Sequence, residues 1–191
     1  MFDHIVQAKG VALYVLTSQQ LERTIGSFTA IGSMGRDLAQ AVREPGGTIR
    51  ATRSFSYESP LLTLAAEIAM RSQLAKLLGF SWPLKITDEH FEFTAQLIET
   101  LKQEYTASFP GGRFAVVFYP GASANSLGLI PWFERKGIHY LNYEKLPLRR
   151  ITDKPVSVDY DGNPTAEAYR IVAAQLARDL KNWTKVEPAG Q

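Results

Sequence analysis

The residue types that do chemistry are few here. There is no cysteine, so thiolate catalysis, disulfides and Cys-ligated zinc are excluded. The three histidines, His4, His90 and His139, include no i, i+4 pair, and the expected metal and cofactor complement is none. Two serines follow apolar runs that read as strands. Ser123, in Gly121-Ala122-Ser123-Ala124-Asn125, is akin to a Gly-x-Ser-x-Gly elbow, but Asn125 replaces the closing glycine and Pro120 separates strand from turn. Ser18, in Thr17-Ser18-Gln19-Gln20, is explained equally by helix capping. Near the end, Asp161 and Asn163 precede the last helical pattern. Asn163-Pro164 is also the sequence of a plain N-cap with proline first, Thr165 would cap as well, and Asp161-Gly162 is a common turn pair. An amide accepts no proton at neutral pH, so Asn163 cannot be a general base. Gly32-Ser33-Met34-Gly35 lacks the lysine and the strand-to-helix setting of a phosphate loop.

The chain that must position these residues has 191 of them, 45% hydrophobic and 21% charged, which is one globular domain with a sizeable core. Lys plus Arg number 21 against 19 Asp plus Glu, and a formal charge of +2 is no nucleic-acid signal. The apolar stretch Gly10 to Leu16 is far shorter than the roughly 20 residues a membrane span needs. It also lacks the basic flank and cleavage site of a signal peptide.

Strands and helices alternate along the chain. Val11 to Leu16 reads as a strand buried on both faces, followed by a short helix capped at Thr17 and ended by Gly26. Residues 27–57 form an extended excursion: Ser27 to Ile31 reads as extended, and Ile49 to Tyr57 as a half-exposed strand. Its Arg36, Arg43, Arg50 and Arg53 could make a basic face, though a solvated strand is the plainer reading. Ser59-Pro60 opens a helix whose Leu61, Leu64, Ile68, Leu74 and Leu78 predict a core-facing stripe up to Gly79. Thr87 or Asp88 caps a second helix with Phe91, Ala95, Ile98, Leu101 and Tyr105 on one face, and His90 solvated in its first turn. Phe114 to Tyr119 is a buried strand, followed by a short helix that Pro131 interrupts. Ile138 to Tyr143 is a further strand, residues 144–163 a long loop, and Pro164 to Leu180 the last helix, with a frayed tail over 184–191. The order predicts a single α/β domain over residues 1–183, a parallel sheet covered by helices, with any site at the carboxyl ends of the strands.

The run Asp159-Tyr160-Asp161-Gly162-Asn163-Pro164-Thr165-Ala166-Glu167-Ala168-Tyr169-Arg170-Ile171-Val172-Ala173 resembles the last block of the SGNH/GDSL hydrolases. The strand ending in Tyr119-Pro120 and the segment Gly137-Ile138-His139-Tyr140-Leu141-Asn142 are similar to the pieces that precede that block, and Val11 to Gly26 is similar to the family's middle strand and helix. The resemblance implies a three-layer, flavodoxin-like sandwich. It also implies ester or acyl hydrolysis through a serine acyl-enzyme, on a small-molecule ester or acylated carbohydrate. Asp161 then matches an acidic position of the block, and Asn163 stands where the family places its histidine. No Gly-Asp-Ser block occurs, and Thr17-Ser18-Gln19-Gln20 replaces the expected Gly-x-Asn-Asp. The expected molecule is therefore a hydrolase domain without its first strand, incomplete or inactive as it stands. The rival expectation is a non-catalytic binding or assembly module on the same fold. An open sheet edge beside Val11 to Leu16 would favour a homo-oligomer. No nucleic acid and no membrane span are expected.

Overall fold

The computed structural model describes residues 10–17, 19–34, 37–77, 82–157 and 163–186, without the side chains of 33–34, 51–53, 76 and 184–186. The chain begins with β1 (Val11–Leu16), α1 (Gln20–Ile25) and α2 (Phe28–Met34). A hairpin of β2 (Ala39–Arg43) and β3 (Ile49–Ser54) follows, then α3 (Phe55–Glu58), α4 (Pro60–Arg71) and α5 (Gln73–Leu77). The long α6 (Asp88–Ser108) leads to β4 (Arg113–Phe118), α7 (Ala124–Leu127), α8 (Ile130–Arg135), β5 (His139–Asn142), α9 (Leu148–Ile151) and α10 (Ala166–Val186).

The main sheet is parallel, in the order β1-β4-β5. Its centre is β4, apolar from Phe114 to Phe118 and buried throughout that run. Alternate side chains of a strand point to opposite faces, and the two faces have different cover. Leu16, Phe114, Val116 and Phe118 pack against Ala95 and Ile98 of α6 and Phe133 of α8. Val117 and Tyr143 pack with Val172 of α10, beside Leu13 and Leu176. The result is an α/β molecule whose sheet is flanked by helices. The Tyr143 hydroxyl donates to Asp179 Oδ2 at 2.7 Å and fixes α10 to the end of β5. Burial, and then the Asp179 carboxylate, hold this phenol well above its usual pKa. Farther along α10, the Trp183 indole stacks on His139 at 4.1 Å, and Arg113 Nη1 donates to the Trp183 carbonyl.

The excursion after α1 has its own small core of Phe28, Ile31, Phe55 and Ala66. Here the structure corrects three expectations. Ser27 to Ile31 enters a helix and not an extended segment, because Gly26 turns the chain at φ 66° and the Ser27 Oγ accepts the Ala30 N–H as a cap. The leucine stripe of α4 does not face the core. Thr63 and Ala66 are buried, whereas Leu61, Leu64 and Ile68 are 82%, 53% and 62% exposed. The reason is a close helix pair: α2 lies against α4 at Gly32, where a Cβ would stand 2.5 Å from Met70 Cγ. The stripe also breaks at Ser72, between α4 and α5; Leu78 and Gly79 lie outside the described residues. The strand read over Ile49 to Tyr57 stops at Ser54, and Phe55–Glu58 is a helix. Arg43 and Arg50 are exposed, as the plainer reading of this segment has it: Arg50 pairs with Glu44 at 2.7 Å and Arg43 bonds Gln96 at 2.9 Å. Arg36 and the Arg53 side chain lie outside the described residues.

Elsewhere most boundaries shift by a residue or two, and the end of the last helix moves by six, from Leu180 to Val186. Thr87 and His90 form a capping box at the start of α6. Pro131 sits in the first turn of α8, where proline is tolerated, and does not interrupt a longer helix. The long loop contains α9, and α10 runs on to Val186. Among the described residues no helix is long and apolar enough to cross a membrane.

The burial pattern predicts a contrast. Phe133, fully buried, should lose about 3–5 kcal/mol on Phe133→Ala. Leu61→Gln should change stability by no more than about 0.5 kcal/mol. Urea unfolding of both variants measures the difference, and a large loss at Leu61 would contradict the exposed placement of α4's outer face.

Candidate functional site

Parallel strands deliver all their carboxyl ends to one rim, and the chain after each strand decides what stands there. After β4, Tyr119-Pro120-Gly121-Ala122 forms a turn closed by the Ala122 N–H on the Tyr119 carbonyl at 2.9 Å. Proline second and Gly121 at φ 80° make it type II, a shape that requires glycine third. After β1, the Thr17 carbonyl accepts the Gln20 N–H and the Ser126 hydroxyl, which ties the entry to α1 against α7. Above both lies the entry to α10, where an isolated bridge pairs Ser157 with Pro164.

These three segments enclose a cleft of about 720 Å³. Thr17, Gln19, Gln20 and Arg23 line it after β1, and the Tyr119–Ala122 turn lines it after β4. Asn163, Pro164 and Tyr169 stand at the α10 side, and Val15, Val117, Val172 and Leu176 supply apolar surface. Volume and lining are those of a small-molecule site. Arg23 is the one charged residue among the described lining residues, and no histidine, aspartate or glutamate is among them. Two polar atoms of the lining residues are shielded from solvent without a hydrogen-bond partner, Arg23 Nε and Tyr119 Oη. Burial, and then neighbouring Tyr169, raise the Tyr119 pKa above the usual phenol range. Their rings lie 6.0 Å apart.

Of the sequence candidates, Asn163 lines this cleft. It is not the cap of α10: the Thr165 hydroxyl accepts the Ala168 N–H at 3.3 Å and donates to the Pro155 carbonyl at 2.7 Å. Thr165 thereby takes the capping role and leaves Asn163 at the cleft. Ser123 serves as the N-cap of α7, accepting the Ser126 N–H at 3.2 Å, and is not among the lining residues. Ser18 and Asp161 lie outside the described residues, as does His4. His90 belongs to the α6 capping box, and His139 opens β5, at the amino end of its strand. Among the described residues no cluster of metal-ligating groups occurs. Sequence reasoning did not single out Arg23 or Tyr169. Arg23 stands six positions after Thr17, on the helix that must cross the strand end; Tyr169 follows Asn163 by the same interval.

Glu167, in the first turn of α10, accepts two bonds from Arg170 at 2.9 and 2.8 Å. The Arg170 bond chiefly lowers the Glu167 pKa to about 2. No family model, curated protein or solved structure matches the chain.

Two measurements follow. A buried hydroxyl without a partner costs about 1–3 kcal/mol, so Tyr119→Phe should leave stability unchanged or raise it by about 1 kcal/mol in urea unfolding. For Glu167 the folded pKa is depressed, so its stabilisation is full above its ordinary value of 4.5 and is lost as pH falls towards about 2. Glu167→Gln should remove this stabilisation at neutral pH and flatten the fall across that acid window, so that the two proteins converge in stability towards pH 2.

Proposed function

We propose that this chain is an SGNH/GDSL-type hydrolase domain whose strand-end cleft receives an ester or acylated carbohydrate, and that it is catalytically silent as it stands. One observation carries the reading. Asn163, Pro164 and Tyr169 of the final block line the same cleft as Thr17 and the Tyr119–Ala122 turn. A flavodoxin-like, three-layer arrangement is the finer fold this implies.

In such a site a serine Oγ adds to the acyl carbon, a base takes the serine proton and returns it to the leaving alkoxide, and fixed donors hold the oxyanion. This cleft has polar groups in the glutamine side chains and the backbone of the turn. It has no base among the described lining residues. The Ser123 hydroxyl is engaged at the start of α7. The same lack supports a second reading, a non-catalytic binding or assembly module on this fold.

Hydrolysis of p-nitrophenyl acetate separates the two. The unaltered chain should match its heat-denatured control, and turnover above it would refute the silent state. Asn163→His places an imidazole at the cleft and should give saturable hydrolysis, faster than free imidazole at equal concentration. A variant that folds but only matches free imidazole would favour the binding module.

A further inference from the structure

Arg23 carries the only formal charge among the described lining residues of the cleft, and no carboxylate stands among them. Among the described residues no ion pair to Arg23 forms, and its Nε is cut off from solvent without a partner. Tyr119 Oη, on another lining residue, is in the same condition. Buried polar groups are normally satisfied, and these two exceptions belong to residues that line one cleft. The guanidinium only donates and the phenol can donate, so a complementary occupant brings acceptor oxygen, and the guanidinium asks for that oxygen to be anionic. Around them lie the apolar side chains of Val15, Val117 and Val172 and the half-exposed Tyr169 ring. The occupant therefore needs an apolar body or sugar face as well as a charged end.

We propose that the cleft is a carboxylate-binding site in which Arg23 takes the anionic end of the ligand and Tyr119 donates a second hydrogen bond. One positive charge balances one carboxylate, whereas a phosphate dianion would call for more. A fork of guanidinium N–H groups suits a planar carboxylate. The inference rests on the reading of this cleft as the binding site, and on no reaction there. If that site is a hydrolase pocket, its substrates are esters that carry a free carboxylate on a sugar or on an aliphatic chain.

The test is an NMR titration of the full chain, following the Arg Nε–H signals and the Tyr119 backbone amide. D-glucuronate is compared with D-glucose, hexanoate with 1-hexanol, and inorganic phosphate is run alongside. At least one carboxylate should bind saturably, about tenfold or more tighter than its neutral partner. Which pair responds identifies a sugar acid or an aliphatic acid. Arg23→Gln should erase the preference for charge, and Tyr119→Phe should weaken binding while keeping it. If Arg23→Gln does not fold, Arg23→Lys serves, and should keep the charge preference but lose affinity. Equal binding of the neutral partners, phosphate binding as tight as carboxylate, no binding by either acid, or an undiminished preference in Arg23→Gln would each overturn the proposal. Hydrolysis by Asn163→His without carboxylate binding would sink this inference alone; carboxylate binding without hydrolysis would leave it standing.

Discussion

A strand enclosed on both faces can keep its peptide groups satisfied only by pairing on both edges, and β4 is held in that way between β1 and β5. The rest of the arrangement follows. Because its side chains alternate, β4 needs helices above and below, and α6 with α8 on one side and α10 on the other provide them. Because its neighbours are parallel, the chain must leave every strand at the same rim. The cleft is the space between those exits, and its position is a consequence of pairing before it is a matter of any particular side chain.

The parts of this plan that depend on local physics were legible in the sequence. The continuous apolar runs of β1 and β4 announce strands, Gly26 and Gly137 announce helix ends, and the period of Phe91, Ala95 and Ile98 announces the buried face of α6. What was not legible depends on who packs against whom. Leu61, Leu64 and Ile68 have helical spacing, yet the core lies on the other side of α4, because Gly32 lets α2 approach there. No periodicity contains that information, since it belongs to the second helix. Ser27 to Ile31 misled for a related reason: a single side-chain cap turned an extended-looking run into a helix.

The site shows the same division. Asn163 could be singled out from its place before Pro164, but its sequence also fits a cap, and only the Thr165 hydrogen bonds separate the two roles. Ser123 took the capping role that Asn163 did not. Arg23 was silent in the sequence because a lone arginine on a short helix is ordinary. Its meaning comes from a long-range juxtaposition: a cavity with no acid among its described lining residues, and a second lining residue, Tyr119, whose hydroxyl is in the same unsatisfied state.

Gly121 sets a limit on how such a pocket can diversify. Its φ of 80° belongs to a backbone shape that side chains resist, although a Cβ there would meet nothing within 4 Å. The restriction is therefore torsional and not steric, and enlarging the cavity would not lift it. One wall is a fixed template, while α1 and α10 can exchange residues without bending the chain. A relative with a different appetite would be retuned from those two helices, leaving the turn as it is.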